Sequence, residues 1–169
     1  MNENLNLYKE FYFREIDTKN HLNNAVNVPI IVITAIISMH FYIFSQDLNS
    51  DLLIFGKVIS SINLASTLVA LFFLTKSFSN LISSHTYREI ADMGQFRDFE
   101  VKLIEEQEKR SDAQFLFERH LIKEFALSSK HNSNVNKNRT EDLAKTKISL
   151  FLSVFLTIIF SITYIISIL

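Results

Sequence analysis

The chain has 169 residues, of which 48% are apolar, and its formal net charge is −1. This charge balance argues against direct nucleic-acid binding. The absence of Cys excludes disulfides, thiolate catalysis and Cys-ligated zinc. Gly and Pro together occur only three times, which favours long helices over a turn-rich β-fold. The segments 28–45, 52–75 and 148–169 are nearly free of charge, whereas 76–147 holds thirteen of the 17 Lys and Arg residues. We therefore expect an all-α integral membrane protein.

The first segment, 1–27, is predicted to be a cytoplasmic amphipathic helix. Over 3–22 its apolar residues recur at helical spacing and share one face, which consists of Leu5, Tyr8, Tyr12 and Ile16 with Phe11 at its border. Aromatic side chains just ahead of a membrane span suit the lipid–water interface. Packing of the same face on other cytoplasmic helices explains the pattern equally well.

Three segments are long enough to cross a bilayer, which takes about 20 apolar residues. The spans 28–45 and 52–75 would form a transmembrane hairpin, and 148–169 would form a C-terminal transmembrane helix. Lys57 is the one charge within them and lies near a span end, where its stem can reach the headgroups.

The topology follows from the distribution of basic residues. The connection 46–51 contains no Lys or Arg, in contrast to 76–147. The positive-inside rule therefore places the N-terminus and 76–147 in the cytoplasm and the C-terminus outside. The expected location is the bacterial inner (cytoplasmic) membrane.

The region 76–147 is predicted to be helical. Thr86 and Glu89 match a capping box, which predicts a helix starting near Tyr87. Over 87–129 the apolar spacing is interrupted by a charged stretch, so the region is one long helix or, as we prefer, a helical pair with a break near 110–112. The polar segment 131–139 is predicted to be a loop. Asn138 or Thr140 would cap the last helix, which is able to run unbroken into the third span.

The sequence contains no catalytic, phosphate-binding, metal-ligating or cofactor motif, so we expect a non-enzyme without cofactors. Arg119 and His120 are the weak cytoplasmic candidates. Neighbours on a helix point about 100° apart, which favours a solvated charged face over a joint site. No Arg is followed by His in an Arg-x4-His pattern. A membrane-tethered nuclease is therefore only a third hypothesis.

His40 lies inside the first span. An ionisable group at such a depth is a candidate for a proton-sensitive or pH-sensitive site. The favoured alternative is a neutral histidine that is hydrogen-bonded to a neighbouring helix or to headgroups.

Polar residues form one stripe on each of the second and third spans. They are Lys57, Ser60, Asn63 and Thr67 on the second, and Ser149, Ser153, Thr157 and Ser161 on the third. Small polar residues allow close approach and hydrogen bonding between helices, so packing within or between subunits is favoured. The alternative is a water-lined pathway built by several copies.

Three stretches carry a resemblance: YKEFYFREIDTKNHLNNAVNVPI, TYREIADM and NVNKNRTEDLAKTKIS. In these the chain resembles small multi-span membrane effectors of bacterial anti-phage systems that are associated with CRISPR nucleases or retrons. The resemblance implies a homo-oligomeric inner-membrane protein that forms a pore, or otherwise permeabilises or depolarises the membrane, together with a soluble defence-system partner. The alternative is a non-enzymatic anchor or adaptor that recruits a soluble partner through 76–147.

Overall fold

The computed structural model describes residues 3–44, 52–78, 85–107 and 109–168, and within these ranges every regular element is an α-helix. The helices are α1 (Glu3–Ala25), α2 (Asn27–Phe44), α3 (Leu52–Phe78), α4 (Met93–Glu106) and α5 (Arg110–Ile168). The predicted all-α class is confirmed. Three helical stretches are long and apolar enough to cross a membrane, and they lie in α1–α2, in α3 and in α5. The predicted outside connection, 46–51, lies outside the described residues.

The chain divides into two compact units. A polar unit consists of Met1–His21 and His85–Lys137, and an apolar unit consists of Leu22–Ser84 and Asn138–Leu169. Helix α5 is continuous and contributes to both.

The apolar unit has an apolar outer surface. Its bulky side chains are exposed along α2, α3 and α5, among them Ile31, Phe41, Phe55, Phe72, Phe151 and Ile166. Its interior contains two apolar clusters, one around Ala70 and Leu150 and one formed by Ile59 and Phe160. Fully buried polar side chains lie between them. Apolar groups outside and small polar groups between helices suit a bundle surrounded by lipid.

In the polar unit, α1 packs against α5. Tyr12 is buried, and its ring lies edge-on to Phe125 at a centroid distance of 5.8 Å. Tyr8 and Ile16, on the same face, are half-buried. Tyr12, which belongs to the face predicted from spacing, therefore packs on α5.

The predicted start of a helix near Tyr87 is wrong, because α4 begins at Met93. Asp92 is its N-cap and accepts a hydrogen bond of 2.9 Å from the Gln95 amide. The backbone at Thr86 and Arg88 is instead hydrogen-bonded to side chains of α5. The capping box therefore has no helix to cap.

The predicted helical pair is confirmed, and the break lies slightly earlier than expected. Helix α4 ends at Glu106, with Gln107 as its C-cap, and α5 begins at Arg110. The two helices pack on each other, with the rings of Phe99 and His120 at a centroid distance of 4.4 Å.

The predicted loop at 131–139 is wrong, because α5 runs through it without interruption. Asn138 and Thr140 are interior residues of this helix and not caps. Helix propensities of ordinary residues differ by only about 0.7 kcal/mol each, so tertiary hydrogen bonds readily outweigh them. As predicted, the last helix continues into the third apolar stretch.

Candidate functional site: a buried polar stripe on α5

A line of polar side chains runs along one face of α5. Successive members are three or four residues apart, close to the helical repeat of 3.6. Most are buried, and the stripe consists of Ser128, Asn132, Asn136, Arg139, Asp142, Thr146, Ser149, Ser153, Thr157 and Ser161. The first three belong to the polar unit and the others to the apolar unit.

In the polar unit, the stripe holds residues 85–92, which we call the strap. The amide group of Asn132 accepts from the Arg88 backbone N–H at 2.8 Å and donates to the Arg88 carbonyl at 3.1 Å. His131 Nε2 lies 2.7 Å from the Thr86 carbonyl, to which it donates. Asn136 accepts from the Tyr87 hydroxyl. Side chains of α5 thus form hydrogen bonds with the backbone of the strap.

Asn136 also joins α1 to this arrangement. Its Nδ2 donates to both the backbone carbonyl and the carboxylate of Glu15, at 2.8 and 2.9 Å. One buried amide therefore connects α1, the strap and α5 within the polar unit.

At the start of the apolar unit, Arg139 caps α3. Its Nε donates to the Ser77 carbonyl at 2.8 Å, and its Nη2 donates to Asn23 Oδ1 at the same distance. Ser77 Oγ donates in return to the Arg139 carbonyl at 3.1 Å. The last carbonyls of a helix lack partners inside that helix and carry partial negative charge, so a guanidinium satisfies them well. One turn away, Lys76 pairs with the buried Asp142 at 3.1 Å.

Deeper in the apolar unit, the two predicted stripes meet each other within one chain. Asn63 Nδ2 donates to Thr157 Oγ1 at 2.7 Å, and the hydroxyls of Thr67 and Ser153 are hydrogen-bonded to each other at 3.2 Å. Ser66, which was not predicted, donates to the Ser149 carbonyl at 3.1 Å. These bonds join the polar face of α3 to the polar face of α5.

Two members of the predicted stripes take no part in these hydrogen bonds between α3 and α5. Lys57 is exposed on α3. Ser161 is half-buried on α5, and its Oγ donates to the Thr157 carbonyl at 2.7 Å.

Three buried polar atoms of the apolar unit have no hydrogen-bond partner among the described residues: His40 Nε2, Ser60 Oγ and Asn63 Oδ1. Leaving a buried polar group unpaired costs about 1–3 kcal/mol. His40 is bonded only through Nδ1, which lies 2.7 Å from the Ile36 carbonyl of its own helix. The predicted bond from this histidine to a neighbouring helix is therefore not formed among those residues.

Arg119 and His120 do not form a joint site. The Arg119 guanidinium lies over the Phe115 ring at 5.8 Å, whereas the His120 ring contacts Phe96 and Phe99. The part of the chain that the structure describes also contains no group of three or more His, Asp or Glu residues able to hold a metal ion.

Sequence reasoning missed the part of the stripe between Ser128 and Thr146. The signal was present, because Asn132, Asn136 and Arg139 continue the spacing of the hydroxyl residues farther along α5. The signal was not recognised because a segment rich in Asn is also typical of a loop. Comparison of the chain with models of protein families, with curated proteins and with solved structures finds nothing that matches it.

Proposed function

We propose that the protein is a homo-oligomeric effector of the bacterial inner membrane that permeabilises or depolarises it, in anti-phage defence. The observation that carries this proposal is the polar stripe inside the apolar unit, above all the fully buried Asn63 with its unpaired Oδ1. A passive anchor needs only apolar helices. Polar groups inside a span are costly and commonly functional.

Permeabilisation by this chain requires several copies. In one chain the stripes of α3 and α5 bond to each other, and three helices are too few to enclose a channel. In the proposed assembly, these two helices move apart so that Asn63, Thr67 and their partners face water. Side-chain hydrogen bonds between membrane helices are worth about 0.6 kcal/mol on average, so exchanging them for water is energetically accessible.

The second candidate is a membrane anchor or adaptor. Two observations favour it: the stripes of α3 and α5 bond to each other within one chain, and the outer surface is apolar. Such a bundle needs no second copy to satisfy the paired polar groups. In that function the polar unit would recruit a soluble partner.

The proposed topology places the polar unit in the cytoplasm and the C-terminus outside. Since the chain has no Cys, single cysteines can be introduced without background. We expect the exposed Ser133, changed to Cys, to react with an impermeant thiol reagent only after the inner membrane is opened. A C-terminal Cys should react in intact spheroplasts. Reaction of both sites from the same side would refute the three-span topology.

The variant Asn63→Leu tests the effector proposal. Leu has the same branched heavy-atom skeleton as Asn but is bulkier and has no polar atoms. In a water-filled constriction it should therefore exclude water and reduce dye leakage from liposomes by roughly an order of magnitude. Oligomer size, measured by native mass spectrometry, should stay unchanged. Ser61→Leu is the matched control, because Ser61 is exposed on α3 and donates only to its own helix, at the Lys57 carbonyl.

The outcomes separate the two functions. A wild-type protein that is monomeric and causes no leakage would contradict the effector proposal and favour the adaptor. Intact oligomers with unchanged leakage in Asn63→Leu would remove this residue from the pathway.

A further inference from the structure

His40 presents one nitrogen to the interior of the apolar unit without a partner. A carbonyl oxygen only accepts hydrogen bonds, so the contact with the Ile36 carbonyl places the proton of the neutral ring on Nδ1. Nε2 is then an acceptor. The residue is only 3% exposed, and Nε2 has no donor among the described residues.

Ser60 and Asn63 add two more unsatisfied atoms on the interior face of α3. Other hydroxyls of this helix, those of Ser61 and Thr67, donate to the carbonyl four residues earlier. The Ser60 hydroxyl does not do so, and it has no other partner in the described part of the chain. Asn63 uses its Nδ2 on Thr157, which leaves Oδ1 as a buried acceptor.

All three residues belong to the apolar unit, and their neighbours on α5 are Phe160 and Thr157. The His40 ring stacks on Phe160 at a centroid distance of 6.1 Å. Gly56 faces the same ring so closely that an added Cβ would lie 3.2 Å from it. Ser60 lies about 6 Å farther along α3 on the same face, and Asn63 is on the next turn, opposite Thr157.

We propose that His40, Ser60 and Asn63 form an internal water site between α2, α3 and α5. The chemistry of the three atoms is complementary to water. A water molecule can donate to two acceptors, His40 Nε2 and Asn63 Oδ1, and accept from the Ser60 hydroxyl. Buried waters typically make about three hydrogen bonds to groups that are otherwise unsatisfied. The site belongs to the closed single chain, in which α3 and α5 are hydrogen-bonded to each other.

Cysteine labelling tests this proposal in the full-length protein in detergent. The thiolate is the reactive form and needs water, so Ser60→Cys should react with a small methanethiosulfonate reagent at least about tenfold faster than a dry buried position. Ala70→Cys is the matched control. Ala70 is 0% exposed on the same helix, within the apolar cluster around Leu150. Equal rates at the two positions would overturn the proposal.

A second variant tests whether the three groups act together. His40→Phe in the Ser60→Cys background keeps an aromatic ring against Phe160 and removes Nε2, so labelling should slow severalfold. An unchanged rate would overturn the three-residue site. A Ser60→Cys protein that does not give a single peak in size-exclusion chromatography is not correctly folded. In that case the labelling rate of Asn63→Cys reports on the same water. The labelling rate reports on the surroundings of one side chain and does not depend on leakage. A negative labelling result is therefore distinguishable from a negative result in the leakage assay.

Discussion

Replacing Arg139 with Met should destabilise the apolar unit by about 3 kcal/mol, since hydrogen bonds to charged groups are each worth about 1.5–3 kcal/mol. Arg139 is 3% exposed and donates to the Ser77 carbonyl and to Asn23 Oδ1. Met preserves much of the side-chain volume but removes the donor from the carbonyl of the buried Ser77 and from Asn23, which is exposed. It also removes the positive charge from the C-terminal end of α3.

The measurement is thermal unfolding of the purified protein in detergent, followed by circular dichroism of the helices. We expect the Tm to fall by roughly 6–12 °C. The matched control is Arg119→Met, because Arg119 is exposed and lies over the Phe115 ring. Surface substitutions of this kind change stability by about 0.5 kcal/mol or less. Equal shifts in both variants would show that the cap on α3 contributes no special stability.

Replacing Asn132 with Leu should release the strap. Asn132 is 0% exposed, and both of its hydrogen bonds go to the backbone of Arg88. Leu has the same branched skeleton but no polar atoms, so it leaves the Arg88 amide and carbonyl without these partners, at a cost of about 1–3 kcal/mol for each group. The strap would then be held by the remaining contacts, among them the bond between Tyr87 and Asn136 and the Arg88–Glu124 ion pair at 3.0 Å.

Hydrogen exchange measures this release directly. The Arg88 amide should exchange roughly 10- to 100-fold faster, since each 1.4 kcal/mol of lost local stability corresponds to about a factor of ten. Asn134→Leu is the control, because Asn134 lies on the exposed side of the same helical turn. If protection at Arg88 is the same in both variants, Asn132 does not hold the strap.

The sequence predicted those features whose causes are local. Uncharged runs long enough for a bilayer identified α2, α3 and the end of α5, because hydropathy depends on each segment alone. The charged stretch 105–114 likewise indicated a break close to the point where α4 and α5 separate. The polar faces of α3 and α5 followed from helical spacing.

Features that depend on distant partners were not predictable. The segment 131–139 is helical although its composition favours a loop, because Asn132, Asn136 and Arg139 each bond to residues more than 40 positions away. For the same reason the Thr86 capping box starts no helix. Spacing also showed that Asn63 faces inward on α3, but it could not show that Thr157 lies opposite.

Helix α5 holds the strap at Thr86 and Arg88 through main-chain groups. Asn132 and His131 contact only the main chain of Arg88 and Thr86, and main-chain groups are the same for nearly every amino acid. A substitution at Thr86 or Arg88 therefore leaves these main-chain bonds in place, although replacing Arg88 removes its ion pair with Glu124. Tyr87 is held through its side chain, because its hydroxyl bonds to Asn136. The backbone path of the strap at Thr86 and Arg88 is therefore set by the side chains of His131 and Asn132 on α5.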